Sequence, residues 1–419
     1  MHNFHTFLGY FQILSLFQTT LSFPLQLSTS LISSRREAIQ TTIVATTSLG
    51  MTAPNANSAI KWGIVGLGDV CQVKSGPPFW LCDGSELVAV MRRTPDKAKE
   101  FANKVPGGNC VGYEDIDAFL SHPDLDAVYV STRPGTHLEI CKKVAQAGKS
   151  CYVEKPVGRC AEEAEEITKI FRDAKLKLYT AFISRAYDRT LTVRKLLSEG
   201  AIGDRIMSVS YSLVGSGGAR DMSGDSLPWR LDAAQSGGGL IMDVGCHVID
   251  RIDYLCGPLC NVNGQAKNTN SPNIPVEDFV HFTADIGDGD WAALPVDKDA
   301  RVECTWDFAS KDSEPFDELA IIGSKGSLKM AGMSPALPVK RYNEKGELVQ
   351  ELNFEMPQHT AQALIQAVTN DLRGLETSNV LALGDNAIRS QKVIDVALDS
   401  YYGGRESGYW ARTNWPGKV

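Results

Sequence analysis

The feature that most constrains the fold is a short apolar strand that ends in a glycine turn. Lys61 to Val65 is predicted as a buried strand, and Gly66-Leu67-Gly68-Asp69-Val70-Cys71 turns out of it. The first glycine permits a tight turn, and the second lets the backbone approach a pyrophosphate at a helix N-terminus. The strand Glu86 to Met91 follows about one strand–helix–strand unit later. The segment therefore predicts the start of a doubly wound parallel sheet.

The residues after the second strand bear on which dinucleotide the turn would hold. An Asp or Glu at that place bonds the ribose hydroxyls of NAD. This chain has Arg92-Arg93-Thr94 instead. Two guanidiniums and a hydroxyl suit a 2′-phosphate, so NADP(H) is favoured and NAD(H) is the alternative. A solvated basic loop is the other interpretation of these residues.

Two further strands deliver polar residues to the same sheet edge. Asp126 to Val130 is predicted as a buried strand that ends in the loop Ser131 to His137, and the strand Ser150 to Glu154 ends at Lys155. The carboxyl edge of such a sheet is where ligands bind. Desolvation disfavours a charged lysine beside a buried strand, so Lys155 is more readily explained by function than by packing. Pro156 restrains the backbone directly after it.

A glycine-rich loop and a helix carry the second polar group. Gly237 to Gly239 precede a predicted helix on which Asp243 and His247 stand four residues apart. At that spacing the two side chains share one helix face, so the carboxylate is expected to orient the imidazole. Histidine is well suited as a general base near neutral pH. The alternative is that Asp243 and His247 form an ion pair on the helix surface.

Arg185 and Arg189 also have two interpretations: they face a cleft, or they are surface charges.

Together these motifs resemble the Gfo/Idh/MocA family of oxidoreductases. The resemblance rests on Gly-Leu-Gly after the first strand, Ser-Thr-x-Pro-x-x-His, Glu-Lys-Pro and Asp-x-x-x-His, and it covers about residues 60 to 400. It implies a Rossmann-type doubly wound α/β domain, followed by an α+β domain with a large open mixed or antiparallel sheet. It also implies NAD(P)-dependent hydride transfer to or from a CH–OH or carbonyl group of a sugar or polyol. Assembly through the open sheet as a homodimer or homotetramer is a further implication.

The same resemblance assigns roles to individual residues. Lys155 would contact the substrate hydroxyl, His247 and Asp243 would act with it, and no metal would be used. Cys71 and Arg133 depart from the residues usual at their positions in the family. The Lys155–Pro156 bond is often cis in relatives. The turn, loop and strand-end residues, with a Trp-Arg pair, are the predicted cofactor contacts: Gly66, Gly68, Asp69, Val70, Arg92, Arg93, Thr132, Pro134, His137, Glu154, Lys155, Trp229 and Arg230.

Length and composition set the outer limits of this interpretation. A chain of 419 residues is long for one core, and we expect a presequence over 1–58 and two domains over 59–182 and 183–419. A net charge of -8 argues against a nucleic-acid partner. The 10 cysteines form no CxxC pair and the 7 histidines do not cluster with them, so a zinc site is not expected.

The first 58 residues have the composition of a targeting segment. The apolar run Phe7 to Phe17 is too short to span a bilayer, and the Ser/Thr-rich stretch after it has Glu37 as its sole acidic residue. Leu21-Ser22-Phe23-Pro24 resembles a plastid presequence cleavage motif, and Arg35-Arg36 resembles a twin-arginine signal for the thylakoid lumen. We predict a plastid protein, stromal or lumenal. The secretory pathway and an extension without an address are the alternatives.

Two other functions stay open. A dinucleotide-binding sensor or scaffold without turnover need not keep a lysine and a histidine together, whereas this sequence has both Lys155 and His247. A trans-dihydrodiol or xylose-type dehydrogenase is a nearer alternative. Substrate specificity is expected from loops such as 214–227.

Overall fold

The first half of the chain forms a six-stranded parallel sheet in the order β3-β2-β1-β4-β5-β6. The computed structural model describes residues 58–215, 228–269, 274–310, 313–334, 337–377 and 379–412. The sheet order reverses between β1 and β4, which is where a doubly wound sheet opens a crevice at its carboxyl edge. Its strands are β1 Ile60–Val65, β2 Ser85–Met91, β3 Val111–Tyr113, β4 Ala127–Val130, β5 Ser150–Val153 and β6 Leu178–Thr180.

The second half forms an eight-stranded mixed sheet in the order β14-β13-β12-β11-β7-β10-β9-β8. The central pair β7–β10 is parallel, and the other neighbours are antiparallel. The strands are β7 Ile206–Val214, β8 Leu259–Lys267, β9 Phe279–Ile286, β10 Val296–Asp307, β11 Phe316–Gly323, β12 Gly326–Met330, β13 Val339–Asn343 and β14 Leu348–Leu352.

Helical segments alternate with or follow these strands along the described chain. The α-helices are α1 Pro78–Leu81, α2 Pro95–Ala102, α3 Ile116–Leu120, α4 His137–Gln146, α5 Ala161–Asp173, α6 Asp188–Ser198, α7 Ala233–Ser236, α8 Cys246–Cys256, α9 Gln362–Leu372 and α10 Gly384–Tyr402. Two π-helical segments, Cys71–Ser75 and Ile241–Gly245, and four 3₁₀ turns complete the described elements: Pro134–Thr136, Ile183–Ala186, Trp229–Leu231 and Ser407–Ala411.

The C-terminal helices return to the first sheet. The Trp62 indole N–H donates to the Thr369 hydroxyl at 3.3 Å, and the Thr180 amide donates to the Ala382 carbonyl at 2.8 Å. Buried side chains from both sheets, such as Val153 and Trp306, belong to one hydrophobic cluster. The two sheets therefore share a core, because the end of the chain packs on the domain that the beginning of the chain forms.

The predicted fold class is confirmed, and the differences lie in particular elements. Asp243 and His247 were expected on one regular helix, but Asp243 lies in the π-helical segment and His247 in α8. Strands β3, β8, β13 and β14 were not predicted. β8 contains Asn, Gly and Lys, which are poor strand formers, and its pairing with β9 overrides that propensity. The Lys155–Pro156 peptide bond is cis, as the resemblance implied.

The remaining expectations concern membrane spans, the cysteines, the predicted presequence and the predicted specificity loop. Over the described ranges, no helix is both long and apolar enough to cross a bilayer. All 10 cysteines are free, and 8 of them are buried among apolar side chains. The predicted presequence up to residue 57, and residues 216–227 of the predicted specificity loop, lie outside the described residues.

Candidate active site

Three strand ends meet at the carboxyl edge of the parallel sheet. Gly66 follows β1, Ser131 follows β4 and Glu154 follows β5. The backbone of Gly66 has φ +97°, and a Cβ built there would lie 2.5 Å from the Ser131 carbonyl oxygen. Only glycine suits that backbone conformation and that close approach. The edge therefore brings the glycine turn, the Ser131 loop and Lys155 together, as the strand alternation predicted.

The glycine turn presents an open surface to a ligand. Gly68, Asp69 and Val70 are exposed, and a Cβ on Gly68 would meet no atom within 4 Å. Cys71, at the place of the usual small residue, is fully buried against the first sheet. The open backbone at Gly68 fits the approach of a pyrophosphate, which is the role that such a turn has in dinucleotide-binding folds.

The basic residues after β2 divide into one that is engaged and one that is exposed. Arg92 donates from Nη1 to the Leu67 carbonyl oxygen inside the glycine turn. Arg93 and Thr94 are exposed beside it. Arg92 therefore stabilises the glycine turn through its hydrogen bond to Leu67. Arg93 is more exposed than Arg92 at the end of β2.

His137 has a structural position rather than the predicted contact with a cofactor. Its Nδ1 lies 3.2 Å from the Pro156 carbonyl and 3.1 Å from the Val157 carbonyl, and its Nε2 lies 3.1 Å from the Thr132 carbonyl. The ring is fully buried, and burial lowers its pKa despite these carbonyls. His137 thus joins the Thr132–Pro134 loop to the turn after Lys155, while the Thr132 hydroxyl accepts a hydrogen bond from Thr136 at 2.9 Å.

The side chain of Lys155 is held by one residue of the other half of the chain. Its Nζ lies 2.7 Å from Asp243 Oδ1 and 2.7 Å from the Asp243 carbonyl oxygen. Arg230 Nε donates to Asp243 Oδ2 at 2.8 Å. The structure therefore does not support the prediction that Asp243 orients His247: each carboxylate oxygen bonds a cation, and among the described residues no hydrogen bond joins Asp243 to His247. Arg230, predicted as a cofactor contact, belongs to this cluster.

The charges of this cluster support each other. The side chains of Lys155 and Asp243 are only 14% and 24% exposed. Burial opposes the charged form of Lys155, but Asp243 outweighs it and raises the lysine pKa. Burial likewise opposes the Asp243 carboxylate, and Lys155 and Arg230 together lower its pKa. Both groups are therefore ionised at neutral pH.

His247 lies near this cluster, since the charges of Lys155 and Asp243 both act on it. Its Nδ1 is buried without a hydrogen-bond partner among the described residues. The ring meets Phe182 edge-on, with the centroids 6.2 Å apart. Burial lowers the His247 pKa well below its usual value, and the charges of Lys155 and Arg251 lower it further. A neutral imidazole is the form that can accept a proton.

Trp229 connects the loop of the first half to the charged cluster. The Arg230 guanidinium lies 4.4 Å from the Trp229 ring centroid, and the Arg133 guanidinium lies 5.9 Å from it. Arg133 also donates to Gln235 Oε1. Arg133, which departs from the smaller residue of the family pattern, thus ties the Thr132 loop to the segment that carries Arg230.

Glu154, a predicted cofactor contact, has one carboxylate oxygen bonded inside the protein. The Tyr129 hydroxyl donates to Glu154 Oε1 at 2.5 Å and lies 3.0 Å from the Ser75 hydroxyl. Burial raises the Glu154 pKa, although Lys155 and Tyr129 oppose that shift. These bonds connect the π-helical segment after the glycine turn to the strand that ends at Lys155. Glu154 therefore braces Lys155 from within the sheet edge.

Sequence reasoning missed two residues near the cluster. Lys74 lies in the π-helical segment Cys71–Ser75, close enough to Asp243, Lys155 and Arg230 to interact with their charges. Tyr187 precedes α6, hydrogen-bonds Thr360 and interacts with the Lys155 charge. The signal for Lys74 was its place one short turn after the glycine motif. Tyr187 had no local signal, because its neighbours come from distant segments.

The comparisons with known proteins agree with this architecture. Residues 60–182 match the family model "Oxidoreductase family, NAD-binding Rossmann fold", and residues 190–329 match the model "GFO/IDH/MocA C-terminal domain". The chain is 28% identical over 310 residues to oxidoreductase P35 of Formosa agariphila, covering 74% of this chain and 89% of that protein. It is 30% identical over 233 residues to the scyllo-inositol 2-dehydrogenase (NADP(+)) of Bacillus subtilis, covering 54% and 60%.

Solved structures show the same fold. A levoglucosan dehydrogenase in complex with NADH and levoglucosan has a TM-score of 0.67 at 20% identity, covering 82% of this chain and 97% of that one. An aldose-aldose oxidoreductase of Caulobacter crescentus has a TM-score of 0.66 at 24% identity, covering 81% and 96%. With the two family models matched in order along it, this chain belongs to the Gfo/Idh/MocA family of oxidoreductases.

Proposed function

We propose that this family member is an NADP(H)-dependent oxidoreductase that acts on the CH–OH or carbonyl carbon of a sugar or polyol. The observation that carries the proposal is Lys155, charged and held 2.7 Å from Asp243 at the sheet edge that also bears the glycine turn. A charged lysine beside a neutral histidine provides one group to stabilise an oxyanion and one to accept a proton.

The residues present fit the nicotinamide dinucleotide that the family implies. The open backbone at Gly68 and the exposed Asp69 and Val70 would hold its pyrophosphate, and Thr132 and Pro134 would lie along its other side. When bound, a nicotinamide supplies or accepts the hydride.

The protein's own side chains would stabilise the reacting substrate oxygen and transfer its hydroxyl proton. Lys155 would hydrogen-bond the reacting substrate oxygen and stabilise negative charge on it. His247, neutral at its lowered pKa, would take the hydroxyl proton in the oxidative direction and return it in the reductive one. Asp243 and Arg230 would hold Lys155 in place and keep it charged.

The substrate class follows the relatives. One relative is a scyllo-inositol dehydrogenase, another is a levoglucosan dehydrogenase, and both names denote polyhydroxylated ring compounds.

The experiment that tests the proposed function measures steady-state turnover of a panel of sugars and polyols by the Lys155→Met and His247→Ala variants. Lys325→Met, an exposed lysine in the turn between β11 and β12, is the control. We expect kcat to fall at least 10²-fold in the first two variants and to stay unchanged in the control.

An opposite result has a clear meaning. Near-normal turnover by either variant contradicts the assigned roles. Tight dinucleotide binding with no turnover across the panel would support the sensor or scaffold function instead.

The preference for NADP(H) rests on Arg92 and Arg93. We expect the protein to bind NADPH at least tenfold tighter than NADH in a fluorescence titration. Arg93→Ala should remove that preference and leave NADH affinity unchanged, whereas Lys97→Ala, an exposed charge in α2, should change neither. Equal or tighter binding of NADH by the unmodified protein would contradict the preference.

Localisation and assembly are separate parts of the proposal. We propose a plastid address in residues 1–58, with delivery to the stroma, where NADPH is supplied. A fluorescent protein fused behind these residues should enter the plastid, and Phe23→Ala should reduce import.

We propose a homodimer or homotetramer through the open sheet, because Met207, Phe316 and Ile322 are exposed on its neighbouring strands β7 and β11. Ile322→Glu should lower the mass measured by light scattering.

A further inference from the structure

Two arginines of the second half are almost completely buried near the candidate site. Arg189 lies in α6 and is 1% exposed, and Arg251 lies in α8 and is 2% exposed. Arg189 donates from Nη1 to the Ser334 carbonyl, and Arg251 donates from Nη1 to the Gly332 carbonyl at 2.7 Å. Both guanidiniums are therefore held by one loop, which presents carbonyl groups to them.

These two guanidiniums keep donors without a partner. Nε and Nη2 of Arg189 and Nε of Arg251 are buried and have no hydrogen-bond partner among the described residues. Asp317 is near, but its oxygens already accept from the Tyr211 hydroxyl at 3.0 Å and from the Gly332 and Met333 amides at 2.8 Å each. A buried donor left without a hydrogen bond destabilises the fold, and more so when it is charged.

A neighbouring arginine shows what a purely structural arrangement looks like. Arg185 is equally buried, and it forms a two-pronged ion pair with Asp250 at 2.8 and 2.6 Å. Among the described residues neither Arg189 nor Arg251 forms such an ion pair; burial lowers the pKa of both, and the charge of Arg251 lowers the pKa of Arg189 further. Two like charges buried side by side with free donors are the arrangement that an anionic group stabilises.

The arginine pair is close to the proposed reacting groups, because the Arg251 charge acts on His247. Arg251 follows His247 by four residues on α8, about one helical turn or ~5.4 Å along the axis. The Tyr187 phenol interacts with the charges of Arg251, Arg189 and Lys155, so it is near both the arginine pair and the lysine. Tyr187 and His247 are both partly exposed.

We propose that Arg189 and Arg251 form an oxyanion subsite, and that the substrate is a sugar that carries a carboxylate, sulfate ester or phosphate ester a few atoms from the reacting carbon. The planar fork of a guanidinium matches all three groups. The proposal rests on the proposed function, because it assigns the far end of the same substrate. In the absence of an anion, the two arginines remain a local source of instability.

The test measures binding apart from turnover. The full-length protein is titrated calorimetrically with glucuronate, glucose 6-sulfate, glucose 6-phosphate and neutral glucose, with NADPH present and absent. We expect at least one anionic sugar to bind tenfold or more tightly than glucose, and the ranking among the three anions identifies the group. Arg189→Gln and Arg251→Gln should each lose that difference and keep the affinity for glucose. Arg251→Lys, which keeps the charge without the fork, should lose only part of it.

Thermal unfolding separates a binding role from a structural one. Arg189→Gln should leave the Tm of the ligand-free protein unchanged or raise it, since an unpaired buried charge is removed. Arg194→Gln in the same helix is the control: Arg194 donates to the Tyr254 and Trp291 carbonyls at 2.7 and 2.6 Å, so its loss should lower Tm and keep the response to the anion.

The outcomes distinguish this inference from the proposed function. If all three anionic sugars bind no tighter than glucose, or if both glutamine variants keep the anion preference, the subsite is wrong even where neutral sugars are turned over. If an anionic sugar binds through the two arginines but no sugar is oxidised or reduced, the subsite stands and the proposed function fails.

Discussion

Lys155 Nζ lies 2.7 Å from both the carboxylate and the main-chain carbonyl of Asp243. One residue thus contributes two acceptors to one ammonium, and the third donor of that ammonium can meet a substrate oxygen. Because Lys155 ends a strand of the first sheet and Asp243 lies in the second half of the chain, the contact also fixes the two sides of the cleft against each other.

Asp243→Asn should reduce activity through Lys155. Without the carboxylate, burial of the lysine is no longer outweighed, and the Lys155 pKa falls. We expect kcat/KM to drop about 10²-fold at neutral pH, comparable to the loss of one aligned electrostatic group. The alkaline limb of the pH–rate profile should move to lower pH. A profile that keeps its alkaline limb in place would show that Asp243 does not set the charge of Lys155.

His247→Gln should make the protein more stable to acid. The folded pKa of His247 is depressed, so below about pH 6.5 the unfolded chain binds a proton that the folded chain refuses, and stability falls as pH falls. We expect the variant to remove at most about 1.4 kcal/mol per pH unit of this slope between pH 6 and 5. Urea unfolding at both pH values measures it, with His281→Gln as the matched histidine control.

Gly66→Ala and Gly68→Ala should separate folding from cofactor binding. An alanine at Gly66 meets both φ +97° and a carbonyl oxygen at 2.5 Å, so we expect a loss of stability of about 1–3 kcal/mol or more. An alanine at Gly68 meets nothing, so stability should be unchanged while the added methyl group obstructs the dinucleotide. Unfolding curves and NADPH titrations of both variants check this. A Gly68→Ala protein with unchanged NADPH affinity would place the pyrophosphate elsewhere.

Arg185→Met should destabilise the protein strongly, because it leaves the carboxylate of Asp250 buried and uncompensated. We expect a loss of about 3–5 kcal/mol in the free energy of unfolding. The double variant Arg185→Met with Asp250→Leu should recover most of that loss, since no charge is then left unpaired. A double variant that is as unstable as the single one would show that the pair contributes through its geometry rather than its charge.

Local chemistry explains which parts of the fold were predictable. The Gly66 turn, the buried strands and the Lys155 strand end all follow from short-range patterns, since turn conformation and burial of alternate strands depend on adjacent residues. The β8 strand did not follow, because Asn263 and Gly264 favour other structure until β9 pairs with them. The prediction placed a helix at Asp243 correctly but expected an α-helix, whereas the segment is π-helical. A π-helical turn has no sequence pattern as clear as that of an α-helix.

The sequence by itself determined the doubly wound domain and the sheet edge that carries the candidate site, and it pointed to Lys155, Asp243 and His247 as candidate residues. Only the tertiary structure decided which charged side chains pair with each other. Asp243 binds Lys155 and Arg230 rather than His247, and Arg185 has a carboxylate where Arg189 has none. The physical reason is that pairing and burial depend on segments that are far apart in the sequence. Packing of the whole core brings these segments together, and no local sequence pattern records it.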